Sequence, residues 1–349
     1  MPCLPFSPKF VSFQFSLGPD YAILNKISMT ALSSGITLII FVYLLVRSAD
    51  LLVSTVSKLA RLFHISEFLI GVIFLGLATS TPELFVGLTS TFQNTPQLSL
   101  GNLIGASIIL FSLLAGLAAI FSNTISTSPK LGLRQLLFID LIIILPVVFL
   151  LDKSLSRFES ALLIAVYILR TVWQLLRQNS PAQPAESPPP GKIISLVIYL
   201  IISFAVLSVS STFAVKAAVS LATSTHTPLF VIGLLLLSLG TNLPEITLLL
   251  AALRKHRQQL VLGDILGSAT ANTLIIGLIG FISPFTISSR KEFLIGGIFL
   301  GFSALVFSIA AITKRHLTRK EGFVLVALYL AFVISEFAAR KFFFSPSLF

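Results

Sequence analysis

Two short stretches of this chain carry residue types and spacing that could do chemistry: "GLATSTPE" at 76–83 and "SLGTNLPE" at 238–245. Each interrupts an apolar run with hydroxyl or amide side chains, a proline and a glutamate. Because proline has no N–H to donate, Pro82 releases the carbonyl of Ala78 from helical bonding and Pro244 releases that of Gly240. One turn thus gathers the Thr79 and Ser80 hydroxyls, a freed carbonyl and the Glu83 carboxylate; the other gathers Thr241, Asn242, a freed carbonyl and Glu245. All of these are hard oxygen donors with no cysteine or histidine nearby, which selects hard cations over zinc or copper. Ca²⁺ takes about 6–8 oxygens, so two bidentate glutamates with a threonine oxygen each would supply roughly six and neutralise its charge. A lone proline kink beside a hydroxyl can serve packing only. Two in matched positions argue for use, since each intramembrane acid costs at least about 2.5 kcal/mol to insert.

The elements that position these turns are membrane helices. Of the 349 residues 55% are apolar and 11% charged, and the mean hydropathy is +0.99; soluble proteins use roughly 25% charged residues. Ten spans are expected, at 30–57, 67–91, 98–121, 132–151, 158–177, 193–222, 228–253, 259–282, 292–312 and 321–340. They are helices because only helices and closed barrels satisfy the backbone in lipid, and the runs lack a barrel strand's alternation. The fold class is therefore an all-α integral membrane protein. Residues 1–29 form an N-terminal extension without the sustained apolar segment of a signal peptide, and Met29 directly precedes the first span.

Sliding the chain against itself by 162 residues exposes a repeat. Between 71–84 and 233–246 six of fourteen positions are identical, among them Thr79/Thr241, Pro82/Pro244 and Glu83/Glu245. At the same offset "GNLIGAS" from Gly101 faces "GDILGSA" from Gly263, and "LSRFESALLIAVY" at 155–167 faces "LTRKEGFVLVALY" at 317–329. The spacing of "GNLIG" and "GDILG" points to close helix packing. The repeats run 30–178 and 193–341, joined by the proline-rich linker 179–192 and followed by a tail, 342–349. Five spans per repeat is odd, so the second repeat crosses the membrane in the opposite sense. Inverted repeats of this kind build secondary transporters, with ion sites on broken helices near the midplane.

The net charge of +11 sits mostly in loops, where it orients the spans and does not mark a nucleic-acid partner. Fourteen basic residues fall on the side of the linker and eight on the side of the termini. This places both termini outside and the linker in the cytoplasm, in the plasma (inner) membrane. The single cysteine, Cys3, excludes an internal disulfide. His64, His226, His256 and His316 fall near loops and take no metal role, while Asp50 and Asp140 read as interfacial or internally paired. There is no HExxH, no Gly-x-Gly-Asp and no serine–histidine pair at depth, so the chain does not read as an enzyme, and no cofactor is expected. The expected partners are inorganic cations and the bilayer; no oligomeric state is specified.

The two motifs with their following helices resemble the signature repeats of the cation/calcium exchanger superfamily. Its Gly-Thr-Ser-Leu-Pro-Glu turn and Gly-Asn…Gly-Ser…Asn helix stand here as "LATSTPE" with "GNLIGASIIL" and "LGTNLPE" with "GDILGSATAN". The resemblance implies a central calcium site at Glu83, Glu245, Thr79 and Thr241, with flanking sodium sites that add Ser80, Asn242, Ser268 and Asn272. It implies an antiporter exchanging Ca²⁺ or a similar cation for Na⁺ or H⁺ by alternating access, the ions being substrates. Beside it stand a monovalent-cation/proton exchanger and a non-transporting scaffold with a degenerate ion site. The first repeat departs from the pattern at Ala106 and Leu110, where serine and asparagine belong. Fewer sodium ions than the family norm, or coupling to H⁺, follow from those lost oxygens.

Overall fold

The computed structural model describes residues 19–62, 79–122, 124–126, 133–176, 190–254, 258–288, 290–313 and 316–341, and every structural statement concerns these. Residues 1–18 with Cys3, the first part of the expected second span, most of the linker, the tail, His64 and His256 lie outside them. The apolar runs form ten helices: α1 (Pro19–Leu62), α2 (Thr81–Phe92), α3 (Pro96–Ser122), α4 (Leu133–Phe149), α5 (Arg157–Leu176), α6 (Pro190–Ser224), α7, α8 (Gln258–Ile282), α9 (Arg290–Thr313) and α10 (Arg319–Lys341). Helix α7 is broken into α7a (229–241) and α7b (Leu243–Arg254). Eight helices of the described residues are long and apolar enough to cross a membrane. Helix α5 also has membrane-spanning length, 20 residues, but carries Arg157, Glu159 and Arg170. Helix α2 is the described end of the expected second span. Helix α1 starts at Pro19, ahead of the span expected from residue 30.

The repeats are inverted in space. Helices α1 and α6 open the two repeats and lie side by side. Ser34 Oγ is 2.7 Å from Ser220 Oγ, and the Phe41 and Phe213 rings stack at 4.6 Å. As one number rises the other falls, so the helices are antiparallel. The centre of the bundle is α3 and α8: in the most apolar stretch of α3 83% of residues are buried, against 28% for α6. Two apolar clusters draw on both repeats, the larger including Leu103, Ile108, Phe111 and Leu163 from the first and Ile265, Ile276, Phe307 and Leu325 from the second.

The repeats also exchange parts. Helix α5 packs on α8, where a side chain at Gly280 would strike Ser160 and Leu155; helix α10 packs on α3, where one at Gly116 would strike Val326 and the Gly322 carbonyl. Four short strands follow the same exchange. β1 (Thr124–Ser126) pairs antiparallel with β4 (His316–Thr318), and β2 (Ser154–Leu155) with β3 (Phe285–Thr286). Each fifth helix opens with a capping box. Glu159 Oε2 accepts from the Ser156 N–H at 2.9 Å, and Glu321 Oε2 from the Thr318 N–H at 2.7 Å. These are repeat-related residues, 162 apart.

Candidate functional site

The helix breaks fall where the prolines predict. Ser80 has φ −80° and ψ 10°, and Asn242, its repeat partner, φ −81° and ψ 10°. Past each break the helix resumes, with the Leu84 N–H on the Ser80 carbonyl and the Ile246 N–H on the Asn242 carbonyl, both at 3.0 Å. Pro82 and Pro244 sit in the first turns of α2 and α7b, where a missing N–H is tolerated. The Gly240 carbonyl faces Pro244 and gains no helical donor from it; Ala78 lies outside the described residues.

The turns are tied across the repeats by one bond made twice. Thr79 Oγ1 donates to Asp264 Oδ1 at 3.1 Å, and Thr241 Oγ1 donates to Asn102 Oδ1 at 3.1 Å. Thr79 Oγ1 also lies 2.8 Å from Ser268 Oγ. Asn102 and Asp264 are residues the sequence reading missed. The signal was there, a polar residue after the first glycine of both "GNLIG" and "GDILG", but close packing was explanation enough for those motifs. The packing role holds for "GNLIG": a side chain at Gly101 would strike the Phe230 carbonyl, and one at Gly105 the Leu234 carbonyl. The backbones of α3 and α7a therefore touch, which aims Asn102 at the second break.

The carboxylates are buried. Glu83 is 1% exposed, Glu245 2% and Asp264 3%, although acids almost never go fully inside unpaired. Glu83 Oε1 and Oε2, Glu245 Oε2, Ser80 Oγ, Asn242 Oδ1 and Asn272 Oδ1 are six buried oxygens with no hydrogen-bond partner. Thr241 lies beside Glu83 outside hydrogen-bond geometry, and both Glu83 and Asp264 are within Coulombic reach of Glu245. The amides are oriented by their N–H₂ groups. Asn242 Nδ2 donates to the Ser238 carbonyl at 2.7 Å, and Asn272 Nδ2 to Ser107 Oγ at 3.0 Å. Each thereby turns its oxygen away from those acceptors, the end a cation would use. Among the described residues no three acids, histidines or cysteines form a ready-made metal cluster, so hydroxyl and amide oxygens must complete any shell.

All eight residues expected from the sequence fall on these facing elements. The first-repeat departures are visible too: Ala106 and Leu110 are each 1% exposed and present only hydrocarbon, and Ser107 takes the contact from Asn272 instead. A π-helical segment, Ile109–Leu114, begins beside Leu110, and a second, Ile232–Leu237, precedes the break in α7; such segments recur at functional sites. Asp50 pairs with Arg47 at 3.9 Å, as expected. Asp140 is 7% exposed within α4, and among the described residues no cation pairs with it. His226 and His316 lie at a loop and in β4.

Residues 33–176 and 195–337 match the family described as "Sodium/calcium exchanger protein". The chain belongs to this family. The two matched segments fall within the two repeats and include both breaks. Among relatives of this exchanger, the inner membrane protein YrbG of Escherichia coli is 31% identical over 258 residues, covering 71% of this chain and 79% of the relative. The sodium/calcium exchanger MaX1 of Methanosarcina acetivorans is 25% identical over 335 residues, covering 84% and 95%. A solved structure of the sodium–calcium exchanger NCX_Mj superposes with a TM-score of 0.62 at 24% identity over 86% of this chain and 97% of that one, which establishes the shared fold.

Proposed function

We propose that this chain is a secondary antiporter, not an enzyme, that exchanges Ca²⁺ or a similar hard cation for Na⁺ or H⁺ by alternating access. The observation that carries the reading is the pair Glu83 and Glu245: two buried carboxylates at repeat-related positions on broken helices, with oxygens that no protein donor uses. A divalent ion between the breaks would be neutralised by the two glutamates and approached by Thr79, Thr241, Ser80 and Asn242, with Ser268 and Asn272 alongside. Asp264 adds a third acid next to Thr79. The name of the relative MaX1, a sodium/calcium exchanger, supports this substrate class, and that of YrbG supports the inner membrane. The excess of basic residues on the linker side supports a cytoplasmic linker with both termini outside.

The coupling ion follows from what α3 lacks. Sodium needs several oxygens around it, and Ala106 and Leu110 offer none. A proton needs only one basic oxygen, which each glutamate supplies. The exchanger therefore couples to H⁺, or to fewer Na⁺ than its family. Purified protein in liposomes, with the membrane potential clamped and either a Na⁺ or a pH gradient imposed, decides it. The account expects Ca²⁺ uptake driven by the pH gradient. Uptake steeply cooperative in Na⁺ and indifferent to pH would reject that coupling, and no uptake under either gradient would reject antiport.

A further inference from the structure

One intramembrane acid lies away from the breaks. Asp140 of α4 is 7% exposed, and Ser308 of α9 is 2% exposed. The two lie side by side outside hydrogen-bond geometry, and neither the Asp140 carboxyl oxygens nor Ser308 Oγ has a hydrogen-bond partner among the described residues. A side chain at Gly297 of α9 would strike Val147 of α4, so numbers fall along α4 as they rise along α9 and the helices are antiparallel. The start of α4 and the end of α9 thus share one end of the bundle, which by the alternation of ten spans is the side of the linker. Asp140 lies seven residues from Leu133, about 10 Å inside that end, and Ser308 five from Thr313, about 8 Å inside.

The surroundings select what this pair can hold. Leu136 and Ile143, a turn to either side of Asp140 on the same face of α4, are buried hydrocarbon. Helix α4 packs on α5, α8 and α9. Arg290, Lys291 and Glu292 stand at the opposite end of α9, and Asp264 is the one ionisable residue of α8. Helix α5 carries Arg157, Glu159, Tyr167 and Arg170; α4 itself carries Arg134, with Asp152 and Lys153 beyond its far end. Asp140 is within Coulombic reach of none of these. The Ile142 carbonyl, which Pro146 deprives of a helical donor, already accepts from Thr273 Oγ1 of α8 at 3.2 Å. A metal ion needs several oxygens, and one carboxyl with one hydroxyl does not make a shell. A proton needs a single oxygen, and binding it removes a charge that is costly to bury alone.

We propose that Asp140 is a proton-binding site, separate from the cation site and loaded from the linker side, with the Ser308 hydroxyl as partner of its carboxyl. That hydroxyl serves both states, since it can accept from the protonated acid and donate to the carboxylate. The site is tied to the rest of the exchanger. Thr273, which holds the Ile142 carbonyl, follows Asn272 on α8, so charge appearing at Asp140 acts on a segment bonded to the helix that lines the candidate cation site. The part of Asp140 in transport rests on the H⁺-coupled reading above; its proton binding does not.

Dicyclohexylcarbodiimide, an apolar reagent that modifies protonated carboxyls inside membranes, reads the site directly. The full-length protein in liposomes is treated over a series of pH values, with and without saturating Ca²⁺, and adducts are located by mass spectrometry. Asp140 should be modified, less so as the pH rises, and equally in the presence of Ca²⁺. No adduct at any pH would overturn the proposal, as would an adduct indifferent to pH. Suppression by Ca²⁺ would also overturn it, by placing Asp140 in the cation site. Ser308→Ala, which removes only the hydroxyl, should move the pH at which labelling falls; an unmoved midpoint would reject Ser308 as the partner. In transport, Asp140→Asn should lose Ca²⁺ uptake driven by a pH gradient, and Asp140→Glu, which keeps a carboxyl, should retain it. Wild-type uptake by Asp140→Asn would overturn the role in coupling. Labelling needs no transport, so its failure is distinct from failure of the antiport reading, which is tested at Glu83 and Glu245, where Ca²⁺ should suppress the adducts.

Discussion

Thr79 donates its hydroxyl to Asp264 at 3.1 Å, a bond from the break in the first repeat to the third helix of the second. Its symmetry mate, Thr241 on Asn102 at 3.1 Å, ends on an amide. The bond pattern is two-fold and the charge pattern is not.

Removing that charge should therefore matter more than removing the bond. Asp264→Asn keeps an acceptor for Thr79 but deletes an acid within Coulombic reach of Glu245, and Ca²⁺ transport should fall about tenfold or more, on the scale of a hydrogen bond to a charged group. Asn102→Asp combined with Asp264→Asn moves the charge to the mirror position and should recover more activity than Asp264→Asn alone. Transport by Asp264→Asn at the wild-type rate would remove Asp264 from the site.

The contact between α3 and α7a sets the depth at which the breaks meet. Gly101→Val places side-chain atoms on the Phe230 carbonyl and should cost at least about 1–3 kcal/mol, the range for overpacking. The expected result is loss of monodisperse protein or a marked drop in melting temperature. Gly301→Ala meets nothing within 4 Å and should be neutral or slightly stabilising, since alanine favours helix.

Much of this was legible in the sequence. In lipid the backbone has few choices, so ten apolar runs read as helices, and one offset of 162 residues revealed the repeat and both breaks. Asp264 and Asn102 were not legible because each stands in a motif whose glycine spacing reads as packing, a role that Gly101 fills and Gly263, with nothing within 4 Å, does not. One residue's step turns the side chain by about 100° around a helix, and the side of the contact on which it falls depends on how α3 and α8 are rotated. The exchange of α5 and α10 between repeats was also hidden: a repeat shows which segments are alike, not which ones touch. Nor do residues 109–114 carry a local mark of π-helix; within that segment Phe111 packs on Phe307 of α9, rings 5.2 Å apart.

Coupling can be moved by restoring oxygens. Ala106→Ser with Leu110→Asn supplies the side chains that the first repeat lacks, at buried positions of α3. Flux should become more dependent on Na⁺ and less on pH. If the double variant is folded, active and unchanged in both dependences, the lost oxygens do not set the coupling ion.

Orientation has an independent check. Single cysteines placed within 180–191 of a Cys3→Ser variant should resist membrane-impermeant thiol reagents in intact cells and react once the membrane is opened. Labelling of intact cells would reverse the assigned topology.

The central claim is that Glu83 and Glu245 together hold the transported cation. Ca²⁺ flux into liposomes is the most direct measurement, with wild type, Glu83→Gln and Glu245→Gln reconstituted at equal density and verified as folded. Glutamine keeps the shape but removes half of the paired charge from a site poorly reached by water. Each single variant is expected to show no flux above that of empty liposomes, under a Na⁺ or a pH gradient. Exchange by either variant near the wild-type rate would contradict the account.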